Sequence, residues 1–576
     1  MRLFTLCLSV ALIAPAAGQV APIAHAPAVP PVPAITARNG MVVAQERNAA
    51  RIGVEILDRG GNAVDAAVAV GFALAVTYPR AGNIGGGGFM VIHLAAKGDA
   101  GGDNVAIDYR ESTPAAATRE MFLDARGEPD PVKSRDSALS VGIPGTVAGL
   151  ALAQAKYGSG KLSLADLIAP GVALARNGFP VEDDLADSLP RARARLNRWP
   201  STAGILLKDG GKPFEAGDRL YQFDLADTLD AIGRKGPGAF YQGEIAQKIA
   251  GAVRAAGGIM TPDDLKNYRP MVRKPVVGSY RGYEIVSMPP PSSGGVALIE
   301  TLNVLEGYDL AAIGAGTPRA LHLEIEAMKR AYADRALYLG DPDTVKVPVR
   351  GLTSKDYAAK LRGGIVERAT PAAEIRPSNP NEFEGDNTTH FSVIDRDGNA
   401  VANTYTLNFS YGLGLIADGT GVLLNNELDD FTAKAGASNA YGLVGFEANL
   451  PAPGKRPLSS MTPTIVLKDG KPAIVTGSPG GSRIISTVLQ VIVNALDFKM
   501  PINQAVRAPR LHDQWQPDEV SVEPDFPPQT LEALQALGHK IVVTPPGTSA
   551  NSIAVTPDGI VGAADSRTRG ALAAGY

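Results

Sequence analysis

Apolar positions along the chain change period more than once, and each change marks a different kind of segment. From Ala49 to Val76 they recur at helical spacing through RIGVEILDRGGNAVDAAVAVGFALAV, interrupted at Gly60-Gly61. This predicts two helices with a glycine stop between them. NIGGGGFMVIHLA then reads as a glycine loop feeding an apolar strand. From about 145 to 380, helical patterns such as TPRALHLEIEAMKRAYADRALYL alternate with loops rich in Pro and Gly. The last third has another texture: TTHFSVID, AVANTYTL, PTIVLKD, PAIVTG and SIAVTPDG are short β-branched runs, while RIISTVLQVIVNAL keeps a helical period. Helices and strands in this arrangement predict an α+β fold in which sheets lie between helices. The sequence shows no internal repeat.

The first residues, MRLFTLCLSVALIAPAAGQV, start with a positive charge, continue with a short apolar run and end in small residues. That pattern predicts a secretory signal peptide over 1–18 and an exported, periplasmic or extracellular protein. Residues 19–36 are rich in Pro and Ala and read as an extended tether, with folding expected from near Gly40. Cys7, the single cysteine, falls inside the expected signal segment, which removes disulfides and thiol chemistry from consideration. With 55 Lys and Arg against 59 Asp and Glu the chain lacks the basic field that polyanion binding needs, so nucleic acid is not an expected partner. Beyond the signal segment no apolar run is long enough for a membrane span. The six histidines are scattered, without HExxH spacing, and neither a metal nor a cofactor is expected.

Three glycine-rich stretches imitate familiar sites. Gly85 to Gly88 fits no frame of GxGxxG and precedes a strand, where a dinucleotide fingerprint precedes a helix. YGSGKLS at 157–163 lacks the first glycine of a phosphate loop and carries Leu162 where Ser or Thr should follow the lysine, so it reads as a turn. GSPGGS at 477–482 is not the GxSxG of a nucleophile elbow.

The stretch DNTTHFSVIDRDGNAVANTYTLNFSYG, beginning at Asp386, holds two alternating segments joined by Arg396-Asp397-Gly398. A three-residue hairpin with a type I turn and Gly398 in the left-handed position suits that junction. In this register Asp395 faces Asn399 and Thr388 faces Thr406. Facing hydroxyls lie within hydrogen-bonding reach, although a threonine pair that only stabilises a sheet has the same pattern.

NTTHFSVID, TYTLN at 404–408, LLNNELDDF at 423–431, KRPLSSMTPT at 455–464 and TGSPGGSRI at 476–484 resemble the γ-glutamyltranspeptidase family of N-terminal nucleophile hydrolases. Upstream, GGNAVDAAVA, GGGGFM, DYRE, PGT and PPPSSGG match the same family in order, so the resemblance runs from Gly40 to Tyr576. It implies a four-layer αββα sandwich formed by two chains from one precursor: a large subunit, 37–387, and a small catalytic subunit, 388–576. The implied cleavage lies between Asn387 and Thr388. Thr388 becomes the nucleophile, its new α-amine serving as base because a threonine hydroxyl is otherwise too weak. Thr406 would orient that hydroxyl, and the backbone N–H groups of Gly480 and Gly481 would form the oxyanion hole.

For the γ-glutamyl head the resemblance offers Arg110, Ser459 and Ser460 to the α-carboxylate, and Asn408, Glu427 and Asp430 to the α-ammonium. On spacing alone Arg110 reads as half of a surface ion pair and Ser459-Ser460 as a loop cap. Tyr441, within 434–449, matches a lid over the bound group. Phe409 and Leu413 are bulkier than the family pattern suggests. The implied activity is γ-glutamyl transfer from glutathione and related amides to water, amino acids or dipeptides. A cephalosporin-acylase-like or poly-γ-glutamate-cleaving enzyme, and an uncleaved exported binding protein, are the alternatives.

Overall fold

The computed structural model describes residues 29–96, 102–375, 389–440 and 442–576. The expected signal peptide, Asn387, Thr388 and Tyr441 lie outside these residues. No helix among the described residues is long and apolar enough to cross a membrane.

Two seven-stranded sheets stack face to face. The strands they share out are β1 (Ile35–Ala37), β2 (Met41–Ala44), β3 (Gly87–Leu94), β4 (Asp103–Asp108), β5 (Met271–Arg273), β6 (Val276–Tyr280), β7 (Tyr283–Ser287), β8 (Thr389–Ile394), β9 (Ala400–Thr406), β10 (Thr464–Lys468), β11 (Lys471–Thr476), β12 (Asn551–Thr556), β13 (Gly559–Ala564) and β14 (Leu572–Gly575). One sheet runs β1-β13-β12-β11-β10-β7-β6 and the other β14-β2-β8-β9-β3-β4-β5. Helices α1 (Arg47–Asp58) and α2 (Ala63–Thr77) cover the second sheet, and helices that include Gly294–Leu305 and Arg483–Leu496 cover the first. This is the αββα sandwich that the motif order implies.

The central strands of the second sheet, β2, β3, β8 and β9, are buried on both faces, and β2 and β3 read as nearly unbroken apolar runs. Along β3, Met90 and Ile92 join the core beneath α1 and α2, while Phe89 and Val91 join the core between the sheets. All fifteen residues of α2 are buried, which is why AVDAAVAVGFALAVT carries small apolar side chains instead of a polar face. A capping box between Asn62 and Asp65 starts this helix, and the Gly60-Gly61 interruption falls where the sequence places it.

Strands β8 and β9 pair antiparallel in the expected register, from Ile394↔Ala400 to Thr389↔Tyr405. Gly398 takes φ +85°, the left-handed position that the turn requires. Asp395 locks the turn: its carboxylate accepts from the amides of Asp397 and Asn399, and its second oxygen accepts from Ala63 N at 2.8 Å. The hairpin is thereby tied to the N-terminus of α2.

The Pro- and Ala-rich segment departs from the tether expectation in its described part. Val29 and Val32 are buried and β1 pairs with β13, so the chain is already packed before Gly40. Apolar residues spaced among prolines can pack without any periodic signal to reveal it.

The run Gly85–Gly88, empty of nucleotide chemistry, has a packing reason. A Cβ on Gly86 would sit 2.0 Å from the Thr406 carbonyl oxygen, and one on Gly88 would sit 2.4 Å from Tyr405 Cβ. Only glycine lets this backbone approach the end of β9. Gly86→Ala is expected to lower stability by about 1–3 kcal/mol or more, because backbone must shift to admit the methyl. Gly204→Ala, in a helix with nothing within 4 Å of the added carbon, should be neutral or stabilising by about 0.5–1 kcal/mol. Thermal unfolding of the two variants checks the contrast.

Candidate active site

The end of β9 is held from three directions. Asn83 Nδ2 donates to the Thr406 carbonyl at 2.7 Å, while Asn83 Oδ1 accepts from Gly86 N and from the Thr146 hydroxyl. The buried Thr406 hydroxyl accepts from Asn408 N at 2.8 Å. Asn408, at φ +71°, turns the chain sharply and donates through Nδ2 to Asn426 O at 3.0 Å. Across the hairpin the Thr389 hydroxyl donates to Gln45 Oε1. Thr389 and Thr406 thus flank the mouth of the hairpin on neighbouring strands, one residue away from the expected cleavage point on the β8 side.

From Asn426 the chain enters a short 3-10 turn, Glu427–Asp430, that meets Arg110. Arg110 follows β4 and is fully buried, so the reading of a surface ion pair is overturned. Its Nη1 pairs with Glu427 and its Nη2 with Asp430, while Nε donates to Pro457 O at 3.1 Å. Leu458 and Ser459 come next in the chain, which brings Ser459 and Ser460 to the same cluster. Ser459 is fixed through its backbone to Pro291 and Ser293, and its hydroxyl accepts from Met461 N. Ser460 Oγ accepts from Arg335 Nη2 at 2.9 Å, and Arg335 Nε donates to Ser293 Oγ at 2.8 Å. Thr406, Asn408, Glu427, Asp430, Arg110, Ser459 and Ser460 therefore form one connected group.

Three carboxyl groups surround one guanidinium here. Burial pushes Glu427 and Asp430 well above the usual carboxylate range against the opposing pull of Arg110. Burial likewise raises Glu111, 3.9 Å from Arg110, to about 8. Like charges packed this closely cannot all ionise. Glu427 Oε2 and Asp430 Oδ1 have no hydrogen-bond partner among the described residues, so acceptor capacity is left over at the cluster. A cation with N–H donors would satisfy it.

Gly480 and Gly481 lie between β11 and the helix Arg483–Leu496, at φ +123° and +61°. Both conformations favour glycine. Among the described residues the N–H groups of this pair make no hydrogen bond, and they sit at the positive end of a helix of 14 residues. Beside them Gly477 is pressed under His390, whose ring would lie 2.5 Å from an added Cβ. Burial lowers His390 to about 3 and keeps it neutral, with Thr404 and Ser392 as its ring partners. It is a packing element joining the two sheets, not a general base.

Several residues of the site escape sequence reasoning. Asn83, Gln45 and Arg335 reach it from segments distant in the chain, and Glu111 stands inside the DYRE motif without a role read for it. The helix Pro318–Tyr338 carries seven charged residues, so nothing in its sequence pattern singles out Arg335, although nearly every residue of the helix is buried. The histidines are less scattered than their spacing suggests: His322 Nδ1 and His539 Nε2 lie 2.8 Å apart, near Glu326. Arg330, Lys329 and the Thr370 amide already engage that carboxylate.

Glu111 carries a pH signature. Its folded pKa of about 8 stands above the ordinary value of 4.5, so the folded state holds an extra proton between these values. Its contribution to stability is full below 4.5 and is lost as pH rises through 8. Glu111→Gln should therefore flatten the decline of the thermal midpoint from pH 5 to pH 9, measured by calorimetry against the parent chain. An unchanged slope would place the extra proton elsewhere.

With this geometry in view, comparison with known proteins is direct. The family model described as Gamma-glutamyltranspeptidase matches residues 49–575. The chain is 49% identical over 579 aligned residues to the glutathione hydrolase proenzyme of Escherichia coli K12, covering 98% of each chain. Among solved structures, cephalosporin acylase from Bacillus halodurans superposes with a TM-score of 0.83 at 28% identity, covering 97% of this chain and 99% of that one. Helicobacter pylori γ-glutamyltranspeptidase is 48% identical over a solved chain that covers 57% of this one and is itself 93% covered, with a TM-score of 0.56. A match over almost the whole length, at this identity and with this fold, means that the chain belongs to the γ-glutamyltranspeptidase family.

Proposed function

We propose that the protein is a self-processing γ-glutamyltransferase and glutathione hydrolase that works through a γ-glutamyl ester on Thr388. The observation that carries this reading is the Arg110–Glu427–Asp430 cluster, a guanidinium beside carboxylates with unused acceptor atoms. An α-amino acid head brings the matching pair of groups. Its carboxylate takes a guanidinium fork together with the Ser459 and Ser460 hydroxyls, and its ammonium takes Asp430, Glu427 and Asn408. The added positive charge offsets the burial and mutual repulsion that keep these carboxyls protonated, so substrate binding and carboxyl ionisation favour each other.

The chemistry then runs at Thr388. In the precursor its hydroxyl attacks the carbonyl of Asn387, the acyl group moves from N to O, and water releases a new N-terminus. The freed α-amine, with a reference pKa of about 7.7–8.0, can take the hydroxyl proton near neutral pH. Thr406 orients that hydroxyl. The oxygen attacks the γ-carbonyl of the substrate, Gly480 and Gly481 N–H groups hold the oxyanion, and the amine leaves with a proton. Water or an acceptor amine completes the cycle. No cofactor enters, and the resemblance assigns Tyr441 to the lid over the bound acyl group.

The large and small subunits stay together as a heterodimer, as residues of both supply one site: Arg110 precedes the cut, and Asp430 and Ser460 follow it. A solved relative whose chain corresponds to 57% of this one accords with a precursor in two pieces. Export to the periplasm or medium accords with the signal-like first residues. The acylase reading has the weaker support, 39% identity to acylase proenzymes of Pseudomonas against 49% to the glutathione hydrolase.

Two outcomes are expected. Purified protein should run as two chains, the smaller beginning TTHFSVID, and Thr388→Ala should remain one chain; N-terminal sequencing that finds another start would sink the assignment. A site that hydrogen-bonds a substrate group rejects analogues lacking it by about 10⁴-fold at best, so γ-glutamyl-anilide should exceed glutaryl-anilide in kcat/KM by roughly 10²-fold. Asp430→Asn should shrink that ratio, mainly by impairing the γ-glutamyl substrate. Equal rates in the parent enzyme would favour the acylase.

A further inference from the structure

Between Thr432 and Asn449 the chain leaves the charge cluster and returns to it, carrying the segment 434–449 that matches a lid. The excursion folds on itself: Asn439 N donates to Leu443 O at 2.9 Å and Gly445 N to Ala437 O at 2.8 Å. Its neck closes two residues after Asp430, where Thr432 N donates to Asn449 O at 3.0 Å. Gly445 is pressed so closely on the Thr432 side chain that a Cβ there has no room.

Asn449 is fully buried, and its side chain ties this neck to both halves of the site. Nδ2 donates to the Asp430 carbonyl at 2.7 Å, and Oδ1 accepts from Leu458 N, just before Ser459, at 3.0 Å. Lys455 grips the same point from the other side. Its buried ammonium donates to Ala448 O at 2.6 Å and to Leu450 O at 2.9 Å, the two carbonyls that flank Asn449. Burial pushes Lys455 down to about 8, so this grip is unfavourable for stability where a neutral packing residue would not be. The two halves of the site depend on the neck unequally. Ser459 is also held by Pro291 and Ser293, whereas the Asp430 carbonyl accepts from Asn449 alone among the described residues.

We propose that Asn449 and Lys455 are positioning residues for recognition of the substrate ammonium. Through the neck they set Asp430 in place, so the 434–449 segment and the ammonium receptor are fixed as one piece. The proposal rests on the γ-glutamyl reading of the site and adds the residues that hold its specificity. Asn449 acts on Asp430 directly, and Lys455 acts by fixing the backbone on both sides of Asn449. A substrate with a carboxylate but no α-amine, such as a glutaryl amide, uses Arg110 and the serines and draws little from this arrangement. One with both groups draws on all of it.

The test measures kcat/KM for γ-glutamyl-anilide and glutaryl-anilide on the processed two-chain enzyme and its variants. Asn449→Ala and Lys455→Met should each lower the γ-glutamyl to glutaryl ratio by about three- to tenfold, the weight of one neutral hydrogen bond, with the loss in KM for the γ-glutamyl substrate. Lower stability alone reduces the amount of active enzyme, scales both rates alike and leaves the ratio unmoved. Glu447→Gln, which breaks only an exposed pair with Arg119 two residues from Asn449, should keep the parent ratio. A parent-like ratio in both Asn449→Ala and Lys455→Met, or an equal fall in Glu447→Gln, would overturn the proposal. Failure of both variants to mature into two chains would overturn it too, since the neck would then be a requirement of folding. Equal rates on the two anilides in the parent enzyme would instead refute the γ-glutamyl reading, so the two failures are distinct.

Discussion

The carboxyl end of β9 is approached by a backbone that carries no side chains, and the site depends on that approach. Gly86 lies so close to the Thr406 carbonyl that a methyl group has no room. Asn83 bridges the same carbonyl and the Gly86 amide, so the loop and the strand are fixed as one piece. This sets where Thr406 ends its strand, where Asn408 turns, and where the 3-10 turn bearing Glu427 and Asp430 can begin. A four-glycine run that resembles a nucleotide loop is therefore a packing device. It supports catalysis only by placing other residues.

The second element is the buried charge cluster that this placement creates. Burying three carboxyl groups around Arg110 is unfavourable for stability, because desolvation and mutual repulsion oppose ionisation. The same features give selectivity. A ligand that supplies both a carboxylate for the guanidinium and an ammonium for the carboxylates relieves the imbalance, and one that lacks either leaves it in place. Binding strength is thus concentrated on the α-amino acid head.

What the sequence revealed followed from local physics. The β8–β9 register came from a turn of known geometry, and Thr389↔Tyr405 pairs as that turn demands. The α1–α2 break, the αββα layering and the site motifs were also legible, the last two through resemblance. What stayed hidden was long-range or aperiodic. Asn83 reaches Thr406 across 323 residues of chain and His322 reaches His539 across 217, and no spacing rule anticipates either contact. Val29 and Val32 pack without periodicity, so a folded segment looked like a tether. The direct pairing of Arg110 with Glu427 and Asp430 is equally invisible, since the resemblance assigns them to opposite ends of one substrate.

The central claim is that the hairpin and the charge cluster together present a γ-glutamyl group to Thr388. It is tested most directly by mixing the processed enzyme with a γ-glutamyl amide, quenching in acid and mapping the adduct by peptide mass spectrometry. The account predicts the added mass of one glutamyl residue, which is glutamic acid less water, on the peptide that begins at Thr388, in an ester labile to mild base. An adduct on Ser459, Ser460 or any other side chain, with the Thr388 peptide unlabelled, would contradict it.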